Sequence, residues 1–160
     1  MVVYVYVLMH YLCICVQASC LLGSSVFSKI QAKAQSAVEL PATVMLSTAA
    51  LAMTAATVFG STSLPVLIAA FFLFEACVGM YFPSIGTLRS KYIPDSHRSV
   101  IMNLFGVPLN LIVVSVFLSI KSLGVSGALA CASAALGVAA VCMTTLLVTI
   151  NRAKPAATTV

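Results

Sequence analysis

Long apolar runs, each close to twenty residues, constrain this chain more than any other feature of its sequence. The hydrocarbon core of a bilayer is about 30 Å thick, and an α-helix needs about 20 residues to cross it. The chain of 160 residues divides into runs of this size at about 2–27, 41–60, 65–86, 100–120 and 124–150. We therefore predict about five transmembrane helices in one bundle, residues 1–150, followed by a tail at 151–160.

Composition supports the same class of protein. The chain is 62% hydrophobic and 7% charged, with a mean hydropathy of +1.16. So few polar residues cannot coat the surface of a soluble globule. The apolar runs are continuous and lack the alternation of a membrane β-barrel. We predict an all-α, polytopic, multi-pass membrane protein whose surroundings are the lipid bilayer.

The distribution of basic residues predicts the orientation of the chain in the membrane. With five spans, seven of the eight Lys and Arg residues fall in connectors or a tail that share one side, and one falls on the other. Basic residues near the ends of spans favour the cytoplasmic side. We therefore predict an external N-terminus and a cytoplasmic tail. The cytoplasmic set is Lys29, Lys33, Arg89, Lys91, Arg98, Arg152 and Lys154, and the external residue is Lys121.

Glu75 lies near the middle of the third predicted span. A charged side chain facing lipid at that depth costs about 2.5–3.5 kcal/mol by insertion scales. Gly79, Pro83 and Gly86 follow at helical spacing, so they share roughly one face with Glu75. We interpret Glu75 as a candidate substrate-path or coupling residue. The alternative is a carboxylic acid that hydrogen-bonds to a neighbouring helix and only fixes packing.

Two amides and two prolines complete the candidate residues inside the spans. Asn103 and Asn110 lie on one face of the fourth span, where they either line a polar passage or hydrogen-bond to another helix. Pro83 and Pro108 are candidate helix breaks, because proline removes a backbone hydrogen bond. Transporters place such breaks at binding sites, and plain kinks are the alternative.

The connector at 87–99 is a basic cytoplasmic loop in this interpretation, carrying Arg89, Lys91 and Arg98. Ile93-Pro94 is expected to end the preceding helix, since the residue before a proline avoids helical geometry. The net positive charge of the chain sits in such loops, so we predict no nucleic-acid partner.

Catalysis and metal binding have no candidate residues in the sequence. The six cysteines lie in apolar runs without CxxC spacing, so we interpret them mainly as buried free thiols, with a metal or redox role as the alternative. No HExxH, P-loop, GxSxG or paired-carboxylate pattern occurs. We therefore predict that the chain is not an enzyme and needs no cofactor or metal.

The segment FFLFEACVGMYFPSIGTLRSKYIPDSHRSVIMNLFGVPLNLIVV at 71–114, with LLGSSVFSKI at 21–30, resembles the C-terminal part of the molybdate-anion transporters, a branch of the major facilitator superfamily. The resemblance implies that the five spans correspond to helices eight to twelve of a twelve-helix transporter in the plasma membrane. It also implies uptake of molybdate or a related oxyanion by alternating access between two bundles.

The same resemblance implies that this chain is a truncated or partial copy, whose partner would be the missing N-terminal bundle. It departs from the family at Gly106, where an arginine is usual. The alternative to a transporter is a non-transporting membrane protein, either a remnant or an interaction subunit.

Overall fold

A computed structural model describes residues 2–33 and 38–156, with side chains described for 6–7, 10–32 and 38–153. Within these ranges the chain is helical except at 38, 60–63 and 93–94, and it contains no strand. The all-α prediction is therefore confirmed. The helices are α1 (Val2–Lys33), α2 (Glu39–Phe59), α3 (Leu64–Tyr92) and α4 (Asp95–Ala156).

Each of these helices is long and apolar enough to cross a membrane. The helical stretches that qualify are His10–Ala32, Glu39–Phe59, Leu64–Tyr92 and Asp95–Ala153. Outside α2, few residues in the most apolar parts of these stretches are buried inside the protein, so most apolar side chains face outward. An outward apolar surface of this extent suits lipid rather than water. The polytopic membrane fold is thus as predicted.

The number of helices differs from the prediction, because the expected fourth and fifth helices are joined. α4 has 62 residues, and its one residue with non-helical geometry is Gly124, at φ 67° and ψ 177°. Only residues 121–123 separated the two predicted spans, and with neither Pro nor Gly among them the helix continues to Leu123. A positive φ carries no steric penalty in glycine, so the chain turns there. We call residues 95–123 α4a and residues 125–156 α4b.

The helices also extend beyond the predicted spans on the basic side. α1 continues to Lys33 and α3 to Tyr92, so most of the expected loop at 87–99 is helical. Arg89, Ser90 and Lys91 have no helix-breaking character, and the break falls at Ile93 and Pro94. Ile93 adopts extended geometry, at φ −114° and ψ 117°, as expected of a residue before proline.

Contacts between the helices establish their directions. α3 packs between α1 and α2, and α2 also packs against α4. Glu39 at the start of α2 contacts Lys91 at the end of α3, so these two helices are antiparallel. Gly60 and Val125 line one pocket at the opposite end of α2, and Met143 packs near Ala42 at its start. α4b is therefore antiparallel to α2 as well.

These contacts require α4a to run the length of the bundle. It begins beside the end of α3, near Glu39, and it ends at Gly124, near Gly60. A straight helix of 62 residues would be about 93 Å long, roughly three times the thickness of the hydrocarbon core. α4 instead passes between the two ends of the bundle twice, with the reversal at Gly124.

A close backbone contact joins α1 to α3 through two glycines. A Cβ added to Gly23 would overlap the carbonyl oxygen of Ala76, and a Cβ added to Gly79 would overlap that of Cys20. The two backbones therefore approach each other directly at this level. Close approach through small residues is the usual way to pack helices in lipid, where hydrophobic burial gives no net drive.

Candidate functional site

Glu75 lies on the side of α3 that faces away from α2. Cys77 of α3 is buried against Met45 and Ala49 of α2. Ala70, seven residues earlier, lines a pocket together with Ala52 of α2. Glu75 precedes Cys77 by two residues, which places it about 200° around the helix. Its side chain is half-buried. The carboxylate thus occupies a face that the bundle of this chain leaves partly open.

Glu75 is also the acid without a partner. The chain has only three acidic residues, and Glu39 and Asp95 each form an ion pair. Glu75 forms neither a hydrogen bond nor an ion pair with any residue in the described part of the chain. Because an unpaired carboxyl group is costly inside a membrane, this face needs water, a ligand or another helix.

The α1–α3 contact lies directly beside this face. Gly79 follows Glu75 by one helical turn, and Gly79 meets the backbone of α1 at Cys20. Proline lacks an N–H, so Pro83 leaves the carbonyl of Gly79, four residues earlier, without its helical donor. The α3 helix nevertheless continues through Pro83 to Tyr92. The freed carbonyl and the carboxylate lie on neighbouring turns of the same helix.

The remaining candidate residues of the spans lie on a different helix from Glu75, namely α4a. Asn103, Pro108 and Asn110 are all exposed, and no described contact joins them to α3. α4 remains helical through Pro108, and its non-helical residue is Gly124. Both amides lie on the same face of α4a. The structure therefore contains two separate polar faces, one acidic and one carrying amides.

Lys91, one of the basic residues of 87–99, belongs to an ionic cluster that sequence patterns did not predict. Glu39 accepts hydrogen bonds from Lys91 Nζ and from Tyr92 Oη, each at 2.5 Å. Its side chain is only 5% exposed, whereas that of Lys91 is 42% exposed. Lys91 Nζ also lies 5.5 Å from the centre of the Tyr92 ring. This cluster ties the start of α2 to the end of α3.

The electrostatics of this cluster favour the charged carboxylate. Burial acts to raise the pKa of Glu39, but the hydrogen bonds from Lys91 and Tyr92 outweigh it and lower the pKa to about 2. These groups lie beyond the predicted spans 41–60 and 65–86, at the basic end of the bundle. A signal for the cluster existed in the sequence, because Glu39 is the only acid before Glu75 and directly precedes a span.

The other two basic residues of this region differ in their surroundings. Arg98 forms an ion pair with Asp95 at 2.5 Å and donates to the carbonyl of Ile93 at 3.3 Å, so it closes the turn between α3 and α4. Arg89 is half-buried near the end of α3. The predicted basic loop is thus divided between two helix ends and a turn.

One pocket inside the bundle is apolar. It measures about 310 Å³ and lies between α2, α3 and α4b. Its lining contains no cationic residue, and its most polar members are Tyr81 and Cys77. Oxyanions are held by charged or N–H donors, which this pocket lacks. All six cysteines are free thiols, but the predicted burial is wrong for most of them, because they lie on outward-facing sides of the helices. Cys77 is buried, Cys20 is half-buried, and the exposed ones are Cys13, Cys15, Cys131 and Cys142. No group of three or more metal-binding side chains occurs among residues 2–33 and 38–156.

Comparison with known proteins identifies local similarity to anion transporters. A stretch of 43 residues is 46% identical to a molybdate-anion transporter of Xenopus tropicalis. A stretch of the same length is 44% identical to a molybdate-anion transporter of Xenopus laevis. Each match covers 27% of this chain and 10% of the relative, so it spans about a tenth of the length of these curated proteins. No protein-family model and no solved structure matches the chain.

The fold and the similarity agree on the general class of protein. Helices able to cross a membrane account for nearly all of the described chain. A segment of it is similar to proteins named for transport of an anion. The chain is a multi-helix membrane protein with a transporter-like segment.

Proposed function

We propose that this chain forms one helical bundle of a membrane transporter for molybdate or a related oxyanion. The observation that supports this most is the 43-residue similarity to molybdate-anion transporters, in a chain whose described part is almost entirely membrane-length helix. The proposal places the chain in the plasma membrane. It also assigns transport to a mechanism of the major facilitator type, in which two bundles rock about a central site.

In this proposal the substrate passes along a polar face rather than through the apolar pocket. The described bundle offers two such faces, one with Glu75 on α3 and one with Asn103 and Asn110 on α4a. Amide N–H groups can donate to an oxyanion, and a carboxyl group can carry a proton. Asn103 and Asn110 therefore serve as donors to the substrate, and Glu75 serves as a proton-linked or gating group.

A second bundle is required to complete the binding site. Tetrahedral oxyanions are bound most strongly by guanidinium or ammonium groups. The fourth predicted span carries Gly106 and no basic side chain, and Lys121 lies at its outer end. Facilitators bind substrate between their two bundles, so the missing cation belongs to the partner bundle.

An uptake experiment tests this function. The chain is expressed in cells by itself and together with the N-terminal half of the Xenopus tropicalis molybdate-anion transporter, and cellular molybdate is measured by mass spectrometry. We expect uptake above that of cells expressing the N-terminal half alone. If both pieces reach the membrane and molybdate does not enter, the proposal is wrong. A non-transporting interaction subunit would then be the better description.

A further inference from the structure

The helix α4a presents a polar stripe that no part of the described bundle covers. None of its residues, 95–123, is buried. At 100° per residue, Ser99, Asn103, Gly106 and Asn110 all fall within about 60° of one another. Both asparagines are exposed, and a Cβ added to Gly106 would meet nothing within 4 Å. The stripe is therefore open along its length.

An open amide stripe is unfavourable in lipid, because hydrocarbon offers no hydrogen-bond partner. The remaining sides of α4a carry large apolar side chains such as Leu104 and Phe105, which are 70% and 67% exposed and suit lipid contact. The amides instead favour a partner that both donates and accepts hydrogen bonds. Asparagine is self-complementary in this respect, since its side chain has an acceptor oxygen and an NH₂ donor.

We infer that a second copy of this chain covers the stripe, with the two α4a helices parallel around a two-fold axis along the membrane normal. Copies that insert with the same orientation can only meet in this way, so Asn103 faces Asn103 and Asn110 faces Asn110. The asparagines are seven residues apart, the repeat of a left-handed helix pair crossing at about 20°. Gly106 lies between them and permits close approach of the backbones.

The charge of Lys121 is compatible with this arrangement. Lys121 follows Gly106 by about 22 Å along the helix. At a crossing of about 20° the two helix axes separate by several Å over that length, and the lysines reach the outer surface. The two ammonium groups can therefore diverge into water.

The dimer is not the second bundle that the proposed function requires, because a second copy of this chain carries the same Gly106 and no basic side chain in its fourth predicted span. The contact between the two stripes therefore does not rest on the proposed function, and the two ideas can fail separately.

Disulfide cross-linking tests the contact. In a background with the six native cysteines replaced by alanine, we introduce Asn103→Cys or Gly106→Cys, and Ser115→Cys as a control on the opposite side of α4a. In liposomes, mild oxidation should convert the first two variants to covalent dimers and leave the control monomeric. Cross-linking of all three to the same extent, or of none, would overturn the proposed contact.

Energy transfer between labelled copies tests the strength of the contact between the two α4a helices. Donor- and acceptor-labelled chains are mixed in liposomes and diluted with lipid. The double variant Asn103→Leu/Asn110→Leu should dimerise about 10-fold or more weakly than the unchanged chain, from the usual range for hydrogen bonds between membrane helices. Ser115→Leu adds equal apolar surface elsewhere and should leave dimerisation unchanged. Equal dimerisation by all three chains, or a monomeric unchanged chain at every dilution, would exclude this interface.

Molybdate uptake by cells that also express the N-terminal half separates the dimer from the transport function. Cross-linked dimers without uptake in these cells would retain the interface and count against transport. Uptake by chains that stay monomeric would retain transport and overturn the dimer.

Discussion

Lys91 and Glu39 join the end of α3 to the start of α2 across 2.5 Å, although 52 positions separate them in the chain. Tyr92 donates to the same carboxylate oxygen, also at 2.5 Å. Because Glu39 is almost fully buried, its charge depends on these two donors. The charge of Glu39 therefore depends on the packing of α2 against α3 at the basic end of the bundle.

Removal of the ammonium group should destabilise the fold. We expect Lys91→Met to lower the free energy of unfolding, because it leaves the buried Glu39 carboxylate short of a charged partner. Tyr92→Phe should have a smaller effect, since it removes a neutral donor. Lys29→Met, at an exposed position, is the control. The measurement is denaturant unfolding in detergent, and equal stability of Lys91→Met and Lys29→Met would contradict the role of the cluster.

Acid should weaken this cluster only at low pH. The pKa of Glu39 is lowered from 4.5 to about 2 in the folded chain, so the native state binds this proton less readily than the unfolded state does. The stabilisation is complete above pH 4.5 and is lost as the pH falls towards 2. We expect the difference in stability between the unchanged chain and Glu39→Gln to be constant from pH 7 to 5 and to shrink below 4.5. A difference that is constant down to pH 2 would exclude this assignment.

The glycine contact between α1 and α3 should tolerate no side chain. Gly79→Leu would push against the carbonyl of Cys20, so we expect a loss of at least about 1–3 kcal/mol or a failure to fold. Gly79→Ala gives a milder version of the same clash. Gly86→Ala is the matched control, because a Cβ there meets nothing within 4 Å. Thermal unfolding that ranks Gly86→Ala as equally destabilising would refute the close contact.

Glu75 should affect transport more than stability. In cells that also express the N-terminal half, Glu75→Gln should preserve folding, since the amide keeps the size of the side chain, and should flatten the pH dependence of molybdate uptake. Glu75→Ala removes the polar group and tests for a packing role, for which a loss of about 0.6–2 kcal/mol is typical. Uptake by the Gln variant that keeps its normal pH profile would rule out coupling.

The reversal at Gly124 should place the two ends of α4a on opposite sides of the membrane. In a background without native cysteines, Ser90→Cys should react with an impermeant thiol reagent from the cytoplasmic side. Ser122→Cys should react from the outside. Ser90 lies near the end of α3 and Ser122 just before Gly124, at opposite ends of the bundle. Labelling of both from one side would disprove the double passage of α4.

Apolar length, composition and Pro94 were sufficient to predict the helical class, the approximate spans and the break between α3 and α4. These depend on local properties, namely the need to satisfy backbone hydrogen bonds in lipid and the geometry of the residue before proline. The reversal between the last two passes was predicted at nearly the right place, whereas the loop expected there is a single residue, Gly124. Hydropathy alone assigned residues 121–123 to a connector, but these residues favour a helix, so α4 continues through them.

Tertiary structure alone decided three features of this protein. Glu39 pairs with Lys91 and Tyr92, and glycines join α1 to α3. Glu75 lies apart from the amides of α4a. Each depends on which helix lies beside which, and hydropathy is the same for every arrangement of apolar helices. The sequence by itself determined how often this chain can cross a bilayer and which residues need polar partners. Packing then determined which of them found those partners within the chain, because an ion pair or a backbone contact requires two helices at the same depth and facing one another.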